Sequence, residues 1–480
     1  MLLLGWAYFF WVALVGLFAF HVHGPYLWIV GATALLCSGL LMARSRVQAF
    51  YVLPVVCLAG PILSVQIQNL GAMTVADLYV LLLAIVALFF AGPGTIRLGS
   101  YWREYAAMAV LIVLGWWQSP YSADTLPGLI NIAELALVYS LTVTLVRRRQ
   151  NMLAVCWSWI AASTISCGLT LLRYYQNEPL LLGTADHGRG YAESLKESSE
   201  LLYRATFFYA GFFFIVAMAV IFCLVELLPG RAASRGWRML LFGALVANVI
   251  TLFLMNNKTA LAALVLATTV IFVKGPEILG KVRKANPRWS LASIALLLVL
   301  AYSGYVGIQW LVPQNQLEAA WKRAQDNTSM VDRWAIYGNV MAFGVAHPRW
   351  LLLGLGPDAI TRLLDEPQIQ VVLENAQTGT YEGAVDSSYL GSLVEYGVFV
   401  CLLFWLVVFR TLGQLWKMCR TGKDALALTL CVAIGTWMFM GITQLTGTSK
   451  PTWLLVQLLA MAHVLLSAKP RASALANPPG

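Results

Sequence analysis

Long apolar runs constrain this chain more than any other feature of its sequence. They recur from the first residues to residue 467 and do not alternate in polarity. Runs of about 17–25 apolar residues suit helices that cross a bilayer, where only helices and closed barrels satisfy their backbone hydrogen bonds. Charged residues make up only 11% of the chain, against about 25% in soluble domains. The sequence therefore predicts an all-α polytopic integral membrane protein.

The apolar runs define about fourteen candidate transmembrane helices. The first has no basic residue ahead of its apolar core, so it is interpreted as a span and not as a cleavable signal peptide. The predicted spans cover residues 3–20, 25–43, 47–66, 74–91, 102–118, 127–146, 152–173, 205–228, 239–255, 258–273, 290–311, 387–409, 425–445 and 452–467.

Lysine and arginine are distributed unevenly over the connectors between these spans. Twenty-one of the thirty-two basic residues follow even-numbered spans, whereas the short connectors on the other side hold only Lys258 and Lys450. Because cytoplasmic connectors are enriched in lysine and arginine, both termini are predicted to be cytoplasmic. The net charge of +10 could suggest a nucleic-acid partner, but the basic residues cluster at the ends of apolar runs, where they set topology. No nucleic-acid partner is therefore predicted.

Two connectors are much longer than the rest, and both fall on the outer side in this topology. Neither contains any of the eight cysteines, which lie in or beside apolar segments, so no disulfide framework or metal site is predicted. The predicted segments are N-terminal spans 1–173, a first periplasmic loop 174–204, spans 205–311, a second periplasmic loop 312–386, C-terminal spans 387–467 and a cytoplasmic tail 468–480.

The second long loop carries signals of local structure. Ser329 and Asp332 form a capping-box pattern ahead of an amphipathic helix predicted over residues 330–346 at the membrane interface. The pair His347-Pro348 ends that helix, because the residue before a proline is pushed out of the helical region. In the run Gly354–Asp358 the glycines predict a turn, and Pro357-Asp358 suits the first turn of a further short helix.

Charged side chains in the outer part of a membrane are costly, which makes them candidates for function. Arg204, Lys258 and Arg333 have the charge that recognition of a pyrophosphate requires. An interfacial anchor explains Arg204 equally well, and a hairpin connector explains Lys258. Asp386 and Glu395 are the acidic candidates, and a structural buried pair is the alternative interpretation of Glu395.

Five motifs in the second long loop and the following span resemble the O-antigen polymerase and ligase superfamily. In that family an arginine-led helix ends in His-Pro and a Gly-x-Gly turn, and the next span opens with a polar pair and carries Glu-x-Gly. The resemblance covers about residues 200–410. The motifs are Arg333-Trp334, His347-Pro348, Gly354-Leu355-Gly356-Pro357-Asp358, Asp386-Ser387-Ser388-Tyr389-Leu390 and Glu395-Tyr396-Gly397.

The resemblance implies a GT-C-like glycosyltransferase of the bacterial inner membrane with its active site facing the periplasm. Such an enzyme transfers a glycan from undecaprenyl pyrophosphate without a nucleotide sugar, a cofactor or an essential metal. The implied partners are the undecaprenyl-pyrophosphate-linked glycan, the lipid bilayer, a chain-length regulator and a flippase. The implied catalytic residues are Asp386, Glu395 and Arg333. The implied pyrophosphate- and substrate-binding residues are Arg204, Lys258, Arg333, Arg189, His347 and Tyr389.

One departure from the family pattern separates two activities. Ligases usually have His-Asn or His-Ser where this chain has Asp386-Ser387, which favours a polymerase of lipid-linked repeat units over a ligase acting on lipid A core or protein. His347 belongs to the helix stop, where capping of carbonyl groups is the alternative to ligand binding. A lipid-glycan transporter is the third hypothesis, and the absence of a pairwise repeat disfavours it.

Overall fold

A computed structural model of the chain consists mainly of helices. Its described residues form twelve helices with assigned bounds, a further helical stretch over residues 340–346 and one two-stranded hairpin, which confirms the prediction of a helical chain. Four of these helices are long and apolar enough to cross a membrane: Leu126–Leu145, Arg149–Leu171, Arg235–Phe253 and Tyr389–Thr421. The structure describes residues 42, 44–59, 64–67, 71–91, 99–123, 125–175, 212–228, 234–255, 258–278, 337–338, 340–359, 388–422, 424–441 and 452–467.

Helices and strands are numbered separately along the chain. The helices are α1 (Arg46–Ala59), α2 (Val75–Ala91), α3 (Trp102–Gln118), α4 (Leu126–Leu145), α5 (Arg149–Tyr175), α6 (Phe212–Leu227), α7 (Arg235–Leu254), α8 (Lys258–Ile278), α9 (Pro348–Leu353), α10 (Ser388–Gly422), α11 (Ala425–Met440) and α12 (Thr452–Ser467). The strands are β1 (Ser64–Ile67) and β2 (Gly71–Thr74), between α1 and α2.

Helices occupy eleven of the fourteen predicted segments, among the residues that the structure describes. Segments 3–20 and 290–311 lie outside those residues, as does 25–43 except for Met42. Some predicted boundaries are wrong by several residues. The segment 47–66 is helical only to Ala59, with its last residues in β1, and the helix predicted over 387–409 continues to Gly422. The sequence Gly60-Pro61 accounts for the break after Ala59, since both residue types end helices.

The hairpin leads directly into α2. Strands β1 and β2 are antiparallel, with Ser64 opposite Thr74 and Ile67 opposite Gly71. The backbone N–H and hydroxyl of Thr74 donate to Asp77 Oδ2 at 2.6 and 2.9 Å, and the Asp77 N–H returns a bond to the Thr74 hydroxyl. This reciprocal pairing is a capping box, so Asp77 begins a helix and needs no functional explanation.

Helix α6 lies at the centre of the described bundle. Every side chain from Phe212 to Val225 is buried, and the helix packs against α5, α7, α8 and α11. An apolar surface all round is expected of a helix at the core of a bundle, and here neighbouring helices cover it. By contrast, α7 and α10 expose many apolar side chains, which suits helices at the lipid-facing edge of a bundle.

A buried chain of hydrogen bonds joins α4, α10 and α12. The Thr411 hydroxyl donates to the Val407 carbonyl at 2.7 Å, so it accepts from His463 Nε2 at 2.9 Å. His463 Nδ1 is then the acceptor for the Tyr139 hydroxyl at 2.7 Å. Because buried polar groups are costly when unpaired, this chain fixes one relative register of the three helices.

Two further polar contacts cross the apolar bundle. Trp159 Nε1 donates to Gln457 Oε1 at 2.6 Å, which connects α5 to α12. The Ser163 hydroxyl donates to Asn248 Oδ1 at 2.6 Å, which connects α5 to α7. Interhelical hydrogen bonds of this kind help to align helices where the surroundings are uniformly apolar.

An ion pair connects the beginnings of α5 and α11. Asp424 is the N-cap of α11 and accepts from the N–H groups of Leu426 and Ala427 at 2.9 and 3.2 Å. Its carboxylate also receives both guanidinium nitrogens of Arg149, at 2.8 and 2.6 Å. The Asp424 side chain is 8% exposed and that of Arg149 is 50% exposed. One carboxylate therefore caps a helix and ties it to its neighbour.

We expect Asp424→Ala to destabilise the protein more than Asp424→Asn does. The asparagine keeps the N-cap acceptor and loses only the charge, whereas alanine loses both, a difference of about 1 kcal/mol. Thermal unfolding of the purified variants in detergent measures this difference. Combining each change with Arg149→Gln isolates the ion pair, and equal melting temperatures for the alanine and asparagine variants would contradict the capping role.

Candidate functional site

Some of the predicted site residues lie within the part of the chain that the structure describes, and the others lie outside it. Arg189, Arg204, Arg333 and Asp386 lie outside the described residues. Lys258 is the first residue of α8, and its side chain likewise lies outside the described part of the chain. The structure describes the side chains of His347, Tyr389 and Glu395, and it brings the surroundings of Glu395 together with the second long loop.

His347 ends a helical segment, as the sequence predicts. Residues 340–346 are helical, and the His347 N–H and Nδ1 both bond the Phe343 carbonyl, at 3.1 and 3.0 Å. The His347 carbonyl in turn accepts from the Trp350 N–H, and the two rings stack at 4.5 Å. The imidazole thus caps the end of one helix, which is the structural alternative to a ligand-binding role.

The helix after His347 was not predicted from the sequence. Pro348 stops the preceding helix but serves as the first residue of α9, where a proline costs no hydrogen bond. Gly354 and Gly356 follow with φ values of 83° and 95°, which confirms the predicted turn. Asp358 also has a positive φ of 61°, so the prediction that Pro357-Asp358 opens a right-handed helix is wrong at Asp358.

Helix α10 is interrupted near its N-terminus. Gly397 has φ 77° and ψ 169°, which breaks the helical run after Glu395 and Tyr396. The carbonyls of Val394 and Glu395 accept instead from the N–H groups of Leu355 and Gly356, at 2.9 and 2.8 Å. The Gly-x-Gly turn is therefore hydrogen-bonded to the Glu-x-Gly kink. We call this contact between residues 354–358 and 394–397 the glycine junction.

The glycine junction leaves no room for side chains at its two central positions. A Cβ atom on Gly354 would collide with the backbone of Glu395 and Tyr396, and one on Gly397 would collide with the backbone around Leu352 and Gly354. In both cases the obstacle is main chain, which cannot rotate away as a side chain can. Glycine is needed at each position for its φ angle and for its size.

Helices α3 and α4 close the junction from the other side. A Cβ on Gly115 of α3 would collide with the Leu353 carbonyl. A Cβ on Gly128, in the first turn of α4, would lie 2.7 Å from Pro357 and from Asp358 Oδ2. The Asp358 carboxylate therefore sits at the positive end of the α4 dipole, where a negative charge is stabilised. Residues of α3, α4, the second long loop and α10 therefore meet at this point.

Two carboxylates and a phenol converge at the junction. Glu395 is 4% exposed, which places its carboxyl group among the buried polar groups of the described residues. The Tyr396 phenol interacts electrostatically with both Glu395 and Asp358, and Glu395 is within its hydrogen-bonding reach. A carboxylate in this cluster can accept hydrogen bonds from the hydroxyl groups of a substrate and can take a proton.

Tyr389 has a structural partner on a neighbouring helix. Its hydroxyl donates to the Met438 carbonyl, and its ring lies 4.9 Å from that of Trp405. Met438 is near the end of α11, where carbonyls have no partner within the helix. The contact gives Tyr389 a capping role at this helix end.

Sequence reasoning missed several residues of the junction. Gly115 and Gly128 lie inside apolar helices and carry no motif, so only their tertiary neighbours reveal their role. Asp358 was noted as part of a turn, but its position at the start of α4 depends on packing. Among the described residues, no cluster of three or more histidine, cysteine, aspartate or glutamate side chains could hold a metal ion.

Neither the protein-family models nor the curated proteins include a match to this chain. The assignment of function therefore depends on the motifs in the sequence and on the geometry of the junction.

We expect Gly397→Ala and Gly354→Ala to destabilise the protein strongly. The positive φ alone costs a non-glycine residue about 1–2 kcal/mol, and the collision with backbone adds to that cost. The melting temperature in detergent and the yield of monodisperse protein measure the effect.

Gly435→Ala is the matched control for both variants. Gly435 lies in α11, and no atom lies within 4 Å of an added Cβ. Alanine is favoured over glycine in a helix by about 0.5–1 kcal/mol, so this variant should melt at or above the wild-type temperature. Wild-type stability of Gly397→Ala would show that the junction does not form.

Proposed function

We propose that this protein is a polysaccharide polymerase of the bacterial inner membrane. It has fourteen spans and cytoplasmic termini in this proposal, and it acts at the periplasmic face. It transfers a glycan from an undecaprenyl-pyrophosphate carrier onto a lipid-linked repeat unit. The four long apolar helices support the membrane setting, and the uneven distribution of basic residues supports the topology.

The glycine junction is the observation that carries the proposal. Two of the five motifs that resemble the O-antigen polymerase and ligase superfamily lie about 40 residues apart in the sequence. In the structure a backbone hydrogen bond from Gly356 to Glu395 joins them, and a second runs from Leu355 to Val394, the residue before the Glu-x-Gly motif. Motifs that contact each other are expected if they build one site, and this contact supports their joint role.

The proposed transfer exchanges one C–O bond for another. A hydroxyl of the lipid-linked acceptor attacks the anomeric carbon of the donor glycan, and the bond from that carbon to the pyrophosphate oxygen breaks. The hydroxyl proton passes to Asp386, and the leaving pyrophosphate keeps the bonding electron pair. Arg333, Arg204 and Lys258 offset the negative charge that develops on the leaving group.

Glu395 has a supporting role in this scheme. Its backbone anchors the second long loop to α10, while its carboxyl group lies within hydrogen-bonding reach of Tyr396. The side chain can orient an acceptor hydroxyl for attack, and it is the second candidate for the base after Asp386. The backbone and side-chain contributions can be separated, because Glu395→Gln removes the charge and keeps the main-chain bonds.

We expect Asp386→Asn and Arg333→Ala to abolish long surface polysaccharide. Loss of a general base slows a reaction by about 100-fold or more. Incubation of the purified protein with a defined lipid-linked repeat unit, followed by separation of the products by length, measures the activity. Glu395→Gln should also slow polymerisation while leaving the melting temperature close to that of the wild type.

Arg349→Ala is the matched control for Arg333→Ala. Arg349 is an exposed arginine of α9 in the same loop, so its loss tests the general effect of removing a loop cation. Normal chain length in both Asp386→Asn and Arg333→Ala, at normal protein levels, would refute the proposal. Loss of polysaccharide attachment with preserved lipid-linked long chains would instead identify a ligase.

A further inference from the structure

A second polar region lies at the opposite end of α10 from the glycine junction. A cavity of about 720 Å³ opens there between α10, the beginning of α3 and the end of α12. From Gly397 to Arg410 the helix rises about 20 Å, so the two regions are well separated along its axis. The polar lining of the cavity includes Arg410, Gln414 and Lys417 from α10, Ser100 and Tyr101 before α3, and Ser467 at the end of α12.

The cavity wall contributed by α10 is positively charged. Arg410 and Lys417 are two helical turns apart, so they lie on one face, and both are exposed. Neither forms an ion pair with another described residue, in contrast to Arg149, whose guanidinium binds Asp424. Gln414 lies between them and adds an amide donor to the same wall.

The start of α3 adds further hydrogen-bond donors. Its N-cap residue, Tyr101, makes no side-chain cap, and Tyr101 itself lines the cavity. The first N–H groups of a helix have no partner within the helix and favour an anion. Glu104 is the acidic residue of that first turn and is not part of the cavity lining, which contains two cations and no carboxylate.

An exposed apolar stripe runs along α10 into this cavity. Phe399, Leu402, Leu406 and Phe409 are 46%, 61%, 42% and 62% exposed and follow one another at helical spacing on one side. From Phe399 to Phe409 the helix rises about 15 Å, which is half of the roughly 30 Å hydrocarbon thickness of a bilayer. Phe409 also lines the cavity, so the stripe and the charged wall are continuous.

We propose that this cavity binds the phosphate group of an anionic phospholipid. The acyl chains lie along the apolar stripe, and the headgroup reaches Arg410, Lys417 and the start of α3. Basic pockets between membrane helices are suited to such headgroups, and free phosphate shares the same chemistry. The apolar stripe favours the lipid, because a soluble phosphate compound would gain nothing from it. The predicted topology places this end of α10 on the cytoplasmic side.

Lipid binding to the purified full-length protein tests the proposal. Delipidated protein in detergent is titrated with phosphatidylglycerol, with phosphatidylcholine or with inorganic phosphate, and bound lipid is counted by native mass spectrometry. We expect saturable binding of phosphatidylglycerol, weak binding of phosphatidylcholine, and no competition by millimolar phosphate. Equal binding of both lipids, or full displacement by phosphate, would overturn the lipid assignment.

Charge-removing variants locate the binding to this cavity. Each cation should contribute about fivefold to the affinity, so Arg410→Gln/Lys417→Gln should bind phosphatidylglycerol about 25-fold more weakly. The control Arg148→Gln/Arg235→Gln removes the same charge from exposed positions outside the lining and should bind normally. Wild-type affinity in the first double variant would refute the proposal. If that variant does not fold, Arg410→Gln and Lys417→Gln are tested singly, with fivefold losses expected.

Discussion

The hydrogen bonds from Leu355 and Gly356 to carbonyls of α10 are the interactions on which the attachment of the second long loop depends. A helix that breaks at Gly397 leaves carbonyl groups without partners, and such groups are costly wherever water is excluded. The turn after α9 supplies the missing donors through its backbone. The second long loop is thus attached to the bundle by main-chain bonds, whose geometry depends on the chain path more than on side-chain identity.

The same requirement shapes the interior of the bundle. Tyr139, His463 and Thr411 satisfy one another in a single directed chain of hydrogen bonds between three helices. At another point Asp424 satisfies the first N–H groups of α11 and pairs with Arg149. In each case one polar side chain forms two interactions: His463 bonds both Tyr139 and Thr411, and Asp424 both caps α11 and pairs with Arg149. These interactions limit how the helices can slide against each other.

Helix α10 connects these features, because it takes part in most of them. Its N-terminal part carries the glycine junction, and its C-terminal half carries both Thr411 of the buried chain and the basic wall of the cavity. The proposed glycan transfer and the proposed lipid site would therefore lie at opposite ends of one helix. Each end has a polar group suited to its proposed ligand, a carboxyl group at one and two cations at the other.

The sequence by itself determined the helical segments and several helix breaks, because both depend on residues that are close together in the chain. The spans predicted over 102–118 and 452–467 match α3 and α12, because run length and flanking polarity act within one segment. His347 and the turn at Gly354 were also predictable, since proline and glycine act on their own neighbours. Only the tertiary structure decided that this turn would meet Glu395, because that contact joins segments about 40 residues apart. The roles of Gly115 and Gly128, and the grouping of Arg410 with the start of α3, depend on packing between helices that no local pattern records.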